Sequence, residues 1–376
     1  VTYVLLVSFV VSYSAGTVFG FQNLPSNGTR AVNDSPITPS ELRVDNPFAG
    51  PSKLALHAPA FDVIKVEHYL PAFLAGITEQ LAEMEAIAGR SADPTFDNTI
   101  VPIEKSGTLL GRVELVFSNL TSANTNEHLQ NIQTELAPLL AAHSDNILLN
   151  QRLFARVEKL YDWRESLKLS GEQQEVLRHH YEDFVRAGAR LPEEQQNRIR
   201  SLNEQLSTLQ TDFKNNLLAA TKERSVIIDD VSELDGLSDA QVAAASAKAK
   251  ERGNDGKYVL EITNTTRVPI LKSLKNRDLR RRVWESSANR ALGQNGGIDN
   301  RGLVLEIAQL RAERARLLGF ENHAAYKLQN QMAKTPEAAR KMLTDLVPGV
   351  VARVKKEADD LRAMIEQLGA RHELAP

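Results

Sequence analysis

Metal chemistry is the first possibility to weigh. With no cysteine in the chain, only its eight histidines and its carboxylates could hold an ion. Two imidazoles one helical turn apart, spaced as H-E-x-x-H, would supply two zinc ligands and a general base from one helix face. The nearest approach is His372-Glu373-Leu374-Ala375-Pro376, whose fifth position is proline, which offers no ligand and opposes a helix. His179, His180 and Glu182 form a second candidate. His179 and Glu182 stand three apart on one helix face between Leu177 and Phe184, but two ligands make a weak site. The plainer reading is a polar face on a packed helix. His57, His68, His128, His143 and His323 show no ligand spacing. No nucleophile elbow and no S-x-x-K set with its partner motifs occurs, and Gly293, Gly296 and Gly297 sit in a polar turn without a P-loop lysine.

The most charged stretch is 267–290. Arg267, Lys272, Lys275, Arg277, Arg280, Arg281, Arg282 and Arg290 face Asp278 and Glu285, so eight positive and two negative side chains leave +6. Guanidinium forks pair bidentately with phosphate or with a peptide's terminal carboxylate, which makes Arg280, Arg281 and Arg282 the substrate-binding candidates. The competing reading is a solvated helix face whose acidic partners come from elsewhere in the fold.

The elements that would position these groups are helices. Leu70, Phe73, Leu74, Ile77, Leu81, Met84 and Ile87 recur at three- and four-residue steps, which predicts one amphipathic helix. Further helices are predicted over 97–120, 129–142 with a kink at Pro138, and 147–167. The clearest runs over 192–222, where Ile199, Leu202, Leu206, Leu209, Phe213 and Leu217 form a stripe on a helix about 45 Å long. Two short β-branched or aromatic runs, at Val226, Ile227 and Ile228 and at Tyr258 to Ile262, predict a small strand pair. Between them Ser238 and Gln241 form a capping box that opens a helix over 238–252. Helices over 276–292, 301–318, 324–332 and 336–368 follow, the last interrupted at Pro348-Gly349. The fold class is therefore mainly α with a small β element near 225–263.

Composition sets outer bounds. Of 376 residues, 42% are hydrophobic and 25% charged, the mix of a globular protein, and a net charge of -3 provides no global field for nucleic acid. Residues 1–29 carry no charged side chain, and Val4 to Val11 is an apolar run of signal-peptide length followed by small residues. A signal segment at 1–22 would make the protein exported or periplasmic. The missing positive n-region and the start at Val1 leave an incomplete or misread start, and a cytoplasmic location, open. The run is too short and interrupted for a stable membrane span. Pro25, Pro36, Pro39, Pro47, Pro51 and Pro59 lie among Asn and Ser, which reads as a linker, assigned to 23–45.

Particular strings then carry a resemblance. Asn46-Pro47-Phe48, Glu67-His68-Tyr69-Leu70-Pro71-Ala72-Phe73, Pro94-Thr95-Phe96-Asp97-Asn98-Thr99-Ile100 and Glu104-Lys105-Ser106-Gly107 resemble bacterial peptidyl-dipeptidases of the thimet oligopeptidase family. So do Asp183-Phe184-Val185-Arg186-Ala187-Gly188-Ala189, Asn276-Arg277-Asp278-Leu279-Arg280 and the run from Leu310 to Phe320. The resemblance covers residue 46 to the end. It implies a two-lobed helical zinc metallopeptidase whose channel admits short peptides, with residues 46–376 as an N-terminal lobe that walls the channel. The resemblance also implies that the H-E-x-x-H helix, the further glutamate ligand and the oxyanion-stabilising groups lie beyond the matched part. No catalytic or metal residue can therefore be carried onto this chain. On that reading the chain alone binds no zinc and is inactive, and its main partner is its own C-terminal catalytic lobe. The alternative is a non-enzymatic helical binding or scaffold protein using the basic face at 267–290.

Overall fold

The structure, a computed structural model, describes residues 42–375. The apolar segment at 1–22 and nearly all of the 23–45 linker lie outside the described residues. The chain divides into two compact units, whose division falls between Leu310 and Arg311. The fold is mainly α, as the periodicities predict.

In the first unit, α1 (Tyr69–Ala88) is shared by two cores. Its first half packs Tyr69 and Phe73 against α3 (Thr108–Ala123) and α4 (Glu127–Leu148), with Phe117 edge-on to both rings at 5.2 and 5.3 Å. Its last turns place Met84 and Ile87 among Leu153, Val157 and Leu160 of α5 (Gln151–Trp163) and Leu177 and Phe184 of α6 (Gly171–Ala187). α1 approaches α3 closely because position 76 is glycine. A Cβ there would lie 2.8 Å from the Leu110 backbone nitrogen, inside any allowed contact.

The helix predicted over 97–120 is interrupted. A π-turn at Phe96–Ile100 leads into α2 (Val101–Lys105), the chain breaks at Ser106-Gly107, and α3 starts afresh. Gly107 adopts φ 68°, and its amide donates to the Glu83 carboxylate at 2.8 Å, so a tertiary partner holds the break. The helix predicted over 129–142 is longer, for α4 keeps Pro138 inside it and runs on to Leu148. α5 then begins only at Gln151, after Asn150 caps it by accepting from the Leu153 amide at 3.0 Å. The start predicted at 147 therefore belongs to the last turn of α4.

α7 (Glu193–Glu223) lies antiparallel along α4, with Asn203 bonded to Asp145 and Asn215 to Thr134. Its predicted stripe is buried at Ile199, Leu202 and Leu206, half-buried at Leu209 and Phe213, and exposed at Leu217. The stripe turns outward at Leu217, while the same end of α7 is held by other groups: Ala220 is buried and Asn216 donates to Asn300 at 2.9 Å.

β1 (Val226–Ile228) and β2 (Tyr258–Leu260) pair antiparallel, Val226 opposite Leu260 and Ile228 opposite Tyr258. α8 (Asp239–Glu251) connects them, opened by the predicted capping box of Ser238 and Gln241. α9 (Asn264–Ser273) and α10 (Arg277–Ala288) complete a third core around Ile228, Leu260, Ile270, Leu279 and Val283. The proline-rich stretch is not all linker: Phe48 is buried against Tyr69, the Asn46 amide donates to the His68 carbonyl at 3.0 Å, and Arg112 donates to the Phe48 carbonyl at 2.6 Å.

α11 (Arg301–Leu317) crosses the division between the units. The second unit continues with α12 (His323–Leu328) and α13 (Pro336–Gln367). Here Tyr326 meets Phe320 edge-on at 5.3 Å and lies under the Arg314 guanidinium at 5.1 Å. α13 runs unbroken through Pro348, contrary to the interruption expected there.

Candidate functional site

The basic stretch 267–290 maps onto α9, α10 and the turns around them. α10 starts because Asn276 accepts from the Leu279 amide at 3.1 Å, and it buries Leu279, Val283 and Ser287 against α9 and β1. That leaves consecutive residues 280, 281 and 282 about 100° apart around the helix, so their side chains diverge instead of forming one cradle.

Each arginine is spent differently. Arg282 donates to Glu233 at 2.8 Å and to the Ile227 carbonyl at 3.0 Å, which ties α10 to the edge of β1. Arg281 faces Asp278 at 3.5 Å with both side chains well exposed, a pairing of little energy. Arg280 is part-buried and makes no ion pair among the described residues. Around them, Arg267 donates to the Ser287 hydroxyl, Lys275 pairs with Asp235 at 3.2 Å, and Arg290 donates to the Ser287 carbonyl at 3.2 Å. Much of the +6 counted along the sequence thus holds α10 in place. Arg280 and Arg281 retain the most guanidinium capacity.

The histidine candidates do not converge. His180 Nε2 lies 2.6 Å from the Glu104 carboxylate, while Glu182 is held by Arg178 at 2.7 Å. Burial raises the Asp183 carboxyl above its ordinary pKa, and the neighbouring His180 and His179 oppose that shift. His372 sits in the tail after α13. Periodicity also gave no sign of the buried polar set. His143, nine-tenths buried, meets the Gln80 side-chain oxygen Oε1 through Nε2 at 2.8 Å, and burial lowers its pKa. Arg156 is buried and donates to two backbone carbonyls and two side chains of the segment before α2. No sequence signal marks these, because pattern reading tracks apolar spacing and these are polar groups satisfied across helices.

A cleft of about 410 Å³ lies elsewhere, beside Lys65, Tyr69, Leu120 and Asn126. Tyr69, one of its lining residues, is buried, its hydroxyl has no hydrogen-bond partner among the described residues, and burial raises its pKa.

The comparisons bear on which of these features counts. The sequence model of peptidase family M3 matches residues 270–376, a span that includes α10 and α13. The dipeptidyl carboxypeptidase of Escherichia coli (strain K12) is 38% identical over 322 residues, 86% of this chain and 47% of that protein. Its counterpart in Salmonella typhimurium is 39% identical over 321 residues, 85% of this chain and 47% of that protein. Oligopeptidase A of Escherichia coli is 30% identical over 334 residues, 88% of this chain and 48% of that protein. The chain belongs to peptidase family M3. It spans about half the length of the curated relatives it matches.

Peptidases of this family are zinc enzymes. Among the described residues no three His, Asp or Glu side chains come together in a way that could hold a metal ion, so these residues do not fit the ion and no catalytic step is assigned to them. No helix among the described residues is long and apolar enough to cross a membrane.

Proposed function

We propose that this chain is the non-catalytic part of a zinc peptidyl-dipeptidase, which releases dipeptides from the C-termini of short peptides. Its helices wall the substrate channel, and the metal-holding residues belong to polypeptide outside the matched segment. The observation that carries the reading is a difference between relatives. Over nearly the same span the chain is 38–39% identical to two dipeptidyl carboxypeptidases and 30% identical to oligopeptidase A. The higher identity favours release of C-terminal dipeptides over internal cleavage.

The test joins the chain to the unmatched remainder of the Escherichia coli dipeptidyl carboxypeptidase and identifies products by mass spectrometry. Dipeptides from free C-termini are expected from the fusion, and no cleavage or retained zinc from the chain alone. Stoichiometric zinc and peptide cleavage by the chain alone overturn the reading. Internal cleavage by the fusion replaces the dipeptidase with an oligopeptidase.

One of Arg280 and Arg281, which point in different directions and each have donors free, is assigned the substrate's terminal carboxylate. Arg280→Ala with Arg281→Ala should raise KM about tenfold for free-acid peptides and leave amidated peptides unchanged. Equal effects on both substrates remove that assignment. The alternative binding role of the basic face has less support, because Arg267, Lys275, Arg282 and Arg290 are already engaged within the fold.

A further inference from the structure

α13 carries an apolar stripe that no other described residue of its own unit covers. Leu343, Leu346, Val347, Val350, Val354 and Leu361 recur mainly at three- and four-residue steps and lie on one side of the helix. All six are exposed, Val350 at 57% and Val354 at 58%. From Leu343 to Leu361 the stripe is roughly 27 Å long at about 1.5 Å per residue. An exposed apolar strip of this extent marks an interaction surface.

The charges of the helix say what kind. Lys341 pairs with Asp345 at 2.8 Å, Arg353 with Glu357 at 2.6 Å, Lys356 with Asp360 at 3.0 Å and Arg362 with Asp359 at 2.7 Å, all within α13. Its six basic and six acidic residues cancel, so no cationic face is offered to lipid headgroups or to nucleic acid. What remains is an apolar surface suited to apolar protein. α13 also lies within the segment that matches the peptidase family, while more than half the length of the dipeptidyl carboxypeptidase relatives falls outside the alignment.

We propose that the α13 stripe is the docking face for the polypeptide that, in the family relatives, lies outside the matched segment. The two halves of the peptidase are then joined through an apolar helix face as well as through the chain. The proposal rests on the reading above that such a half completes the enzyme, but its test does not depend on activity.

The absence of cysteine makes single-cysteine labelling free of background in this chain. Val350→Cys and Val354→Cys sit on the stripe, and Ala352→Cys sits on the opposite face of α13. Maleimide labelling, read peptide by peptide, is compared in the full chain alone and in its fusion to the unmatched remainder of the Escherichia coli dipeptidyl carboxypeptidase. In the fusion, positions 350 and 354 should label at least roughly tenfold more slowly than in the chain alone, with position 352 unchanged. Unslowed labelling in the fusion, whether or not it folds, overturns the proposal. Slow labelling in a monomeric chain alone also overturns it, because residues of this chain then cover the stripe. A dimer of the chain alone that Val350→Glu dissociates in sedimentation velocity assigns the face to a second copy instead. A protected stripe in an inactive fusion keeps the docking face and removes the peptidase reading; activity with an unprotected stripe does the reverse.

Discussion

Replacing Arg156 by leucine should destabilise the first unit by about 3 kcal/mol. Arg156 is 8% exposed, and its guanidinium makes four hydrogen bonds: to the Arg90 carbonyl at 3.0 Å, the Ala92 carbonyl at 2.9 Å, Asn98 Oδ1 at 2.8 Å and Thr99 Oγ1 at 3.2 Å. A bond to a charged donor contributes about 1.5–3 kcal/mol, so four in full would come to several times the expected loss. They do not count in full. Arg90 and Ala92 are exposed residues whose carbonyls water can reach once the guanidinium is gone. Asn98 Oδ1 keeps the Thr95 amide at 2.9 Å and the Thr99 hydroxyl at 2.8 Å. Burial also opposes the charge, which lowers the arginine's pKa and offsets part of the gain. About two bonds' worth remains, and leucine keeps the packing of the aliphatic stem. Trp163, at the end of the same helix, provides the signal once Trp284 is replaced by phenylalanine. Urea unfolding followed by its fluorescence should show the midpoint lowered by about 1 M. Arg156→Lys should recover less than half of the loss, since an ammonium cannot fork to two pairs of acceptors. A loss under about 1 kcal/mol, or full recovery with lysine, would mean that the buried guanidinium's hydrogen bonds contribute little to the first unit.

Gly76→Ala should destabilise the α1–α3 contact by about 2 kcal/mol, because the new Cβ meets the Leu110 backbone at 2.8 and 2.9 Å and neither helix can yield cheaply; an unchanged urea midpoint counts against the close approach. Stability should also fall with acid. Burial, helped by Arg311, Arg314 and Lys327, pushes His323 down to about 4, so the unfolded chain takes up its proton first as pH drops below about 6.5, and the decline contributed by this group ends near pH 4. His143, lowered by burial, acts in the same direction in the first unit. His323→Gln and His143→Gln should each flatten the dependence of the unfolding midpoint between pH 7 and 4. A slope equal to that of the unsubstituted chain contradicts it.

The amino-acid sequence specifies which segments are helical and which side each buries, because apolar spacing and capping residues are local properties. α1, the first half of α7 and the capped start of α8 follow from them directly. It also determined the family, through strings such as Glu67 to Phe73 that contribute buried residues to the cores. Tertiary structure alone decided where helices stop and what their polar groups do. Gly107 breaks a predicted helix because Glu83, distant in sequence, receives its amide, and Pro138 and Pro348 fail to break theirs. The +6 stretch reads as one anion site along the chain, yet helical geometry sends Arg280, Arg281 and Arg282 in different directions and uses Arg282 to tie β1. Charge along a sequence adds up without regard to direction; in three dimensions a guanidinium serves whichever acceptor the fold places within about 3 Å of it.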